Sequence, residues 1–272
     1  MASYNAISPE KLARLVGTPK APVLIDVRDD VDFAAARLLL PASSRRSHTT
    51  VTDWADTYRG RWVVVVCQKG RKLSEGVTAL LRLHGAQAEI LEGGFEAWRL
   101  AGLPLVPVER LPEEKTAGGT LWVTRSRPKI DRVACPWLIR RFVDPDATFL
   151  YVSAPEVPAV AERFSAVPFD IEGVFWSHRE SLCTFDVMVE EFGLSFPALL
   201  QLARIVRGAD TDRHDIEPQA AGLLAVSLGL SRMYADDLEQ LEAGMLVYDA
   251  LYRWARDAAD EKHDWVSHGG RK

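Results

Sequence analysis

The chain has 272 residues, 47% of them hydrophobic and 26% charged, with a formal net charge of −5. That length suits two ordinary domains, and the apolar fraction supplies a core for each. The acidic balance argues against a nucleic-acid partner or an anionic membrane surface, and no apolar run approaches the length of a bilayer span. Cys67, Cys135 and Cys183 are too few, and odd in number, for a disulfide framework, which suits a reducing compartment. Met1 to Pro9 lacks the basic segment and apolar stretch of a signal peptide, so a soluble, cytoplasmic protein is expected.

Ser8-Pro9-Glu10 opens a helix, with Ser8 as N-cap and proline in the first turn. A strand over 23–27, a short helix over 30–37, a strand over 62–66, a helix over 73–84, a strand over 88–91 and a helix over 95–101 follow. This alternation predicts an α/β unit with a mainly parallel sheet. Val63-Val64-Val65-Val66 reads as a strand buried on both faces. Proline, glutamate and glycine then crowd the stretch from Leu103 to Gly119, which marks a domain boundary. Beyond it, strands are predicted over 120–124, 148–152 and 174–176. Helices are predicted over 135–142, 156–164, 184–192, 197–207, 218–228 and 235–256. The division is 1–108, a linker over 109–119, a mainly helical α+β domain over 120–260, and a polar tail over 261–272. His263 and His268 in that tail are expected to be solvent-exposed and silent.

Cys67 is the residue best placed for chemistry. It ends the valine strand and opens the basic loop Gln68-Lys69-Gly70-Arg71-Lys72, which leads into the helix. Ligands in parallel sheets sit at the carboxyl ends of strands. Amides at a helix N-terminus favour an anion, and thiolate is the nucleophilic form of cysteine. The competing reading is a small apolar residue filling the sheet. The glycine and charges after Cys67 argue against it.

Four features together resemble the rhodanese family of sulfurtransferases over residues 5–108. They are Asp26-Val27-Arg28 with Asp32-Phe33, Pro41-Ala42, the six-residue loop Cys67 to Lys72, and Leu91-Glu92-Gly93-Gly94-Phe95-Glu96-Ala97-Trp98 with Ala101-Gly102-Leu103-Pro104. The resemblance implies an α/β rhodanese-like domain, a parallel sheet flanked by helices, with Cys67 catalytic. Gln68, Lys69, Gly70, Arg71, Lys72 and Arg28 would bind substrate. The partners would be a small anionic sulfur donor and a thiol acceptor, with no cofactor required for sulfur transfer. The chain departs from the family pattern at Ala36-Arg37 and at Lys72-Leu73, and lysine lacks the bidentate fork of arginine. A phosphatase-type loop would need arginine where Leu73 stands.

From about Trp122 to Trp265 the chain resembles the chromate-resistance protein family in its ChrB-type C-terminal domain. The matching residues run from Asp131-Arg132-Val133-Ala134-Cys135-Pro136-Trp137 to Phe142. Pro168-Phe169-Asp170, His178, Cys183-Thr184-Phe185, Ile205 to Asp210, and Tyr248 to Tyr252 complete the match. The resemblance implies a link to chromate resistance rather than a reaction. Second-site candidates are Arg132, Cys135, Asp170, His178, Cys183, Arg207 and Asp210, with Asp212, His214 and Asp215 nearby. Either they hold a metal ion or an oxyanion, or they are buried ion pairs and a helix cap; the spacings match no compact zinc pattern. Basic clusters at Arg45-Arg46, Arg125 to Arg132 and Arg140-Arg141 read as solvated faces or small-anion sites.

Three functions compete. The first is a sulfurtransferase using a Cys67 persulfide or thiolate, with chromate as a further substrate because it too is a tetrahedral dianion. The second is a chromate- or metal-responsive regulator with a non-catalytic rhodanese module, although no helix-turn-helix is recognisable. The third is a docking module with an unreactive Cys67.

Overall fold

The computed structural model describes residues 5–112 and 119–261. Most of the expected linker, and both His263 and His268, lie outside the described residues. The first half contains, in chain order, β1 (Ala6–Ile7), α1 (Pro9–Ala13), β2 (Val23–Asp26), α2 (Asp30–Ala35), β3 (Leu38–Leu39), β4 (Ser43–Arg45), α3 (Val51–Trp54), β5 (Trp62–Val66), α4 (Lys72–Leu83), β6 (Gln87–Leu91), α5 (Gly94–Leu100) and β7 (Val106–Pro107). Five strands form a wholly parallel sheet in the order β1-β6-β5-β2-β4. β3 and β7 pair antiparallel in a small ribbon.

The valine run is buried on both faces, as its sequence predicts: Val63 to Val66 are each 0% exposed. Val64 and Val66 face the cluster built with Leu12 of α1 and Phe95 and Trp98 of α5. Val63, Val65 and Cys67 face the other side, against Val51 of α3 and Val77 and Leu81 of α4. Full burial of a valine stabilises by roughly 1.5–3 kcal/mol, so this strand anchors both layers.

The second half contains β8 (Leu121–Arg125), α6 (Asp131–Leu138), β9 (Thr148–Val152), α7 (Val157–Phe164), β10 (Val167–Pro168), α8 (Thr184–Glu191), α9 (Pro197–Asp210), α10 (Ala220–Met233) and α11 (Asp237–Asp257). Its sheet has three parallel strands in the order β10-β8-β9. Trp122 points into the helical core while Val123 packs under α7. Trp137 sits at the centre of that core, fully buried, its indole N–H donating to Asp249 Oδ1 at 2.8 Å. The strand expected at 174–176 does not form. Only a single bridge joins Phe169 and Trp176, across a turn at Gly173 with φ of 77°.

α6 begins four residues before the sequence predicts, and it continues through a π turn over Ile139–Val143 after Pro136. Its start is fixed from outside the helix. The Ile130 amide donates to Ser227 Oγ at 3.2 Å, and the Ile130 carbonyl accepts from Tyr248 Oη–H at 2.9 Å.

One apolar cluster runs through both halves, from Leu12, Val16 and Trp98 to Phe142, Phe192 and Leu199. At the seam the Ala42 amide donates to the Phe142 carbonyl at 2.7 Å. The Phe142 ring lies so close over Gly17 that a Cβ there would meet it at 2.1 Å.

Candidate functional site

Cys67 follows β5 at the carboxyl edge of the sheet, 5% exposed. Lys69, Arg71 and Lys72 beside it are exposed and form no ion pair among the described residues. The loop is held from behind by the second sequence signature. The Phe95 amide donates to the Cys67 carbonyl at 2.9 Å, and the Glu96 amide to the Gln68 carbonyl at 3.1 Å. The Gln68 side-chain amide donates to Glu96 Oε1 at 3.3 Å. Gly70 and Gly94 both adopt positive φ, 62° and 63°. A Cβ on Gly94 would lie 2.2 Å from the Cys67 carbonyl oxygen and 2.4 Å from the Gly70 nitrogen, so the two backbones touch. The first turn of α5 thus occupies two of the loop's carbonyls. The amides of Gln68, Lys69, Gly70 and Arg71 have no protein acceptor among the described residues. Free amides, exposed cations and the start of α4 around one thiol make a cradle for an anion.

Arg28, expected to bind substrate, instead lies inside the fold. Its guanidinium is 0% exposed and paired with Asp26 at 2.7 Å. It donates to the carbonyls of Ala36 at 3.2 Å and Leu38 at 2.6 Å, and lies 3.9 Å from the Phe95 ring centroid. With its donors occupied inside the fold, Arg28 braces β2 against α5 and does not reach an incoming anion.

In the second half, Asp170, His178 and Asp210 converge as a group, and Asp131 joins them. His178 Nε2 stands 3.4 Å from Asp131 Oδ2, 3.4 Å from Asp170 Oδ1 and 3.3 Å from Asp210 Oδ2. Asp131 opens α6, Asp210 ends α9, and Asp170 (φ 53°) follows β10. Thr184, the first residue of α8, ties two of them: its amide donates to Asp131 Oδ2 at 2.6 Å and its hydroxyl to Asp170 Oδ1 at 2.9 Å. The opposite oxygen of Asp170 receives Arg125 at 3.2 Å and Arg132 at 3.3 Å.

The electrostatics follow from that crowding. Burial pushes the Asp131 carboxyl up to about 7, opposed by His178 and reinforced by Asp210 and Asp170. Hydrogen bonds to Asp131, Asp170 and Asp210 push the His178 imidazole up to about 12. Burial alone would raise Asp170, but hydrogen bonds from His178 and Thr184, with Arg132 and Arg125 alongside, hold it below its ordinary value. Burial and the neighbouring Arg125 lower Arg132.

The remaining candidates separate from this cluster. Cys135 and Cys183 are each 0% exposed, and burial, then nearby carboxylates, push both thiols well up. Cys183 caps α8, its amide donating to Asp186 Oδ2 at 3.1 Å. Arg207 pairs with Asp186 Oδ1 at 3.1 Å, so it secures that cap. Asp212, His214 and Asp215 pair locally beyond α9. Asp131 was visible in the sequence as the acid before Arg132. It was missed because the helix was expected to start at Cys135.

The clusters Arg45-Arg46 and Arg140-Arg141 meet in one cleft of about 560 Å³ between the halves. Carboxylates hold three of these side chains: Asp30 on Arg45 at 2.5 Å, Glu242 on Arg140 at 2.5 Å and Asp249 on Arg141 at 2.8 Å.

Comparison with known proteins matches a rhodanese-like domain over residues 8–101 and a ChrB C-terminal domain over residues 122–255. Protein ChrB of Cupriavidus metallidurans is 34% identical over 135 residues, 49% of this chain and only 40% of that protein. Thiosulfate sulfurtransferase GlpE of Actinobacillus succinogenes is 31% identical over 105 residues, 38% of this chain and 91% of that protein. The crystal structure of a rhodanese-like domain protein from Staphylococcus aureus shows 25% identity and a TM-score of 0.31, covering 35% of this chain and 90% of that one. Residues 122–255 match the ChrB C-terminal domain, and through residues 8–101 the chain belongs to the rhodanese-like family.

Proposed function

We propose that this protein is a rhodanese-type sulfurtransferase whose sulfur carrier is Cys67, serving chromate resistance through its second domain. The observation that carries the reading is the Cys67 loop, with two of its carbonyls tied to α5 and four amides without a partner among the described residues, beside three exposed cations. The Cys67 thiolate attacks the outer sulfur of thiosulfate. The S–S bond of the donor breaks, sulfite leaves with the electron pair, and a persulfide remains on Cys67. The amides of Gln68 to Arg71 hold the terminal sulfur's negative charge, while Lys69, Arg71 and Lys72 draw in the dianion. A thiol or cyanide then takes the outer sulfur and restores the thiolate. The relative named as a thiosulfate sulfurtransferase supports this donor class.

The test is an intact mass after incubation with thiosulfate. The expected result is a gain of one sulfur atom on Cys67, removed by cyanide and absent from Cys67→Ser. An unmodified wild-type protein would refute the sulfur-carrier reading.

A further inference from the structure

We infer that Asp131, Asp170 and His178 form a binding site for one divalent transition-metal ion, with Asp210 beside its open position. The donor atoms of these three residues lie within 4.8 Å of one another. One imidazole nitrogen faces three carboxylates, more than a single N–H can satisfy, and the spacing suits coordination. A single imidazole N–H makes one good hydrogen bond near 2.9 Å, yet three carboxylate oxygens surround His178 Nε2 at 3.3–3.4 Å. Around a tetrahedral ion with bonds of about 2.0–2.2 Å, ligand atoms stand about 3.3–3.6 Å apart, which is the spacing found here.

A second observation points the same way. Asp131 is 1% exposed, and its Oδ1 has no hydrogen-bond partner among the described residues, although it shares a carboxyl carbon with the Oδ2 that faces His178. A buried carboxylate oxygen without a partner is costly, and a cation bound to the group removes that cost. The supporting contacts match those of metal sites, where outer hydrogen bonds fix the ligands. Thr184 holds Asp131 Oδ2 and Asp170 Oδ1 through its amide and hydroxyl. Arg125 and Arg132 hold Asp170 Oδ2. That leaves the Oδ1 side of Asp170 turned to the imidazole.

Mixed imidazole and carboxylate donors suit Zn²⁺, Mn²⁺ or Fe²⁺ rather than Cu⁺, because the nearby thiols of Cys135 and Cys183 do not belong to the group. Three protein ligands leave one position for water, the arrangement of an open site. Asp210 Oδ2 lies 3.3 Å from the same imidazole nitrogen, beside the three ligands. His178, with a side chain 42% exposed, gives the ion a path from solvent.

The test uses the full chain, free of any histidine tag, stripped with a chelator and dialysed against about 1 µM free Zn²⁺. Metal content and Zn²⁺ affinity are measured, with thermal unfolding in parallel. The expected result is one Zn²⁺ per chain and a raised Tm. His178→Ala and Asp170→Asn should each weaken affinity by at least about 100-fold, the upper end of what losing an outer partner costs. Cys67→Ser should bind as the parent does, which separates this site from the sulfur-carrier reading. His178 is partly exposed, so its variant remains informative even where Asp170→Asn does not fold. A chain that retains no stoichiometric Zn²⁺, or a folded His178→Ala that binds as tightly as the parent, would overturn the site and leave a plain ion-pair cluster.

Discussion

Replacing Gly94 by alanine tests whether the Cys67 loop and the start of α5 are one mechanical unit. The new Cβ would stand 2.2 Å from the Cys67 carbonyl oxygen, 2.4 Å from the Gly70 nitrogen and 2.9 Å from the Lys69 nitrogen. All three are backbone atoms, so no side-chain rotation relieves the clash. Overpacking of this kind costs about 1–3 kcal/mol. The φ of 63° adds about 1–2 kcal/mol for an L side chain. A loss of about 2–5 kcal/mol follows, a large part of the roughly 5–15 kcal/mol that holds a domain folded. Because the displaced carbonyl belongs to Cys67 itself, the thiol moves with it, and a shift near 1 Å costs about 100-fold in rate. Urea unfolding and thiosulfate–cyanide sulfur transfer would be measured on the same preparation. Gly76→Ala is the internal control: it lies exposed in α4 with nothing among the described residues within 4 Å of its Cβ, and should stabilise by about 0.5–1 kcal/mol. A Gly94→Ala protein within 0.5 kcal/mol of the parent, with unchanged transfer rate, would refute the backbone-contact argument.

Other outcomes follow from individual contacts. Asp26→Asn leaves the fully buried Arg28 charge uncompensated and should cost about 3–5 kcal/mol in denaturant titration; a change below 1 kcal/mol would show that the pair contributes little. Alkylation with iodoacetamide, mapped by peptide mass, should modify Cys67 in the folded protein. Cys135 and Cys183, both 0% exposed with thiols pushed well up by burial, should react only after unfolding. Tyr248→Phe removes the buried hydroxyl donor to the Ile130 carbonyl and should cost about 1–3 kcal/mol by thermal or urea unfolding. If the start of α6 depends on that bond, it should also weaken Zn²⁺ binding while His178 is intact.

The first half was legible because its signals are local. Four valines in a row, Ser8-Pro9 at a helix start and the glycine pair before Phe95 each carry their own structural instruction, and the elements fall within a residue or two of expectation. The Cys67 loop could be read for the same reason. The short elements β1, β3, β4, α3 and β7 were missed, since two to four residues leave no periodicity to read. Arg28 was misassigned because an arginine after a strand looks like an anion binder until the acid two residues earlier is seen to fold back on it. In the second half the site depends on long-range contacts. Ile130 is no capping residue, so the start of α6 was invisible without Ser227 and Tyr248, which approach from α10 and α11. Asp131 was therefore not among the second-site candidates, whereas Asp170, His178 and Asp210 were, and the fold gathers all four.

The seam at Gly17 and Phe142 bears on how such proteins are built and rebuilt. Modules joined like beads can be exchanged freely, but here a graft of another rhodanese-like domain must offer a bare backbone where the Phe142 ring lands. It must also present an amide where Ala42 meets the Phe142 carbonyl. A donor domain with any side chain at position 17 would collide with the ring and hold the halves apart, exposing Leu12, Val16 and Trp98. A chimera that ignores this fit should precipitate, whereas one that copies two small positions should stay monodisperse.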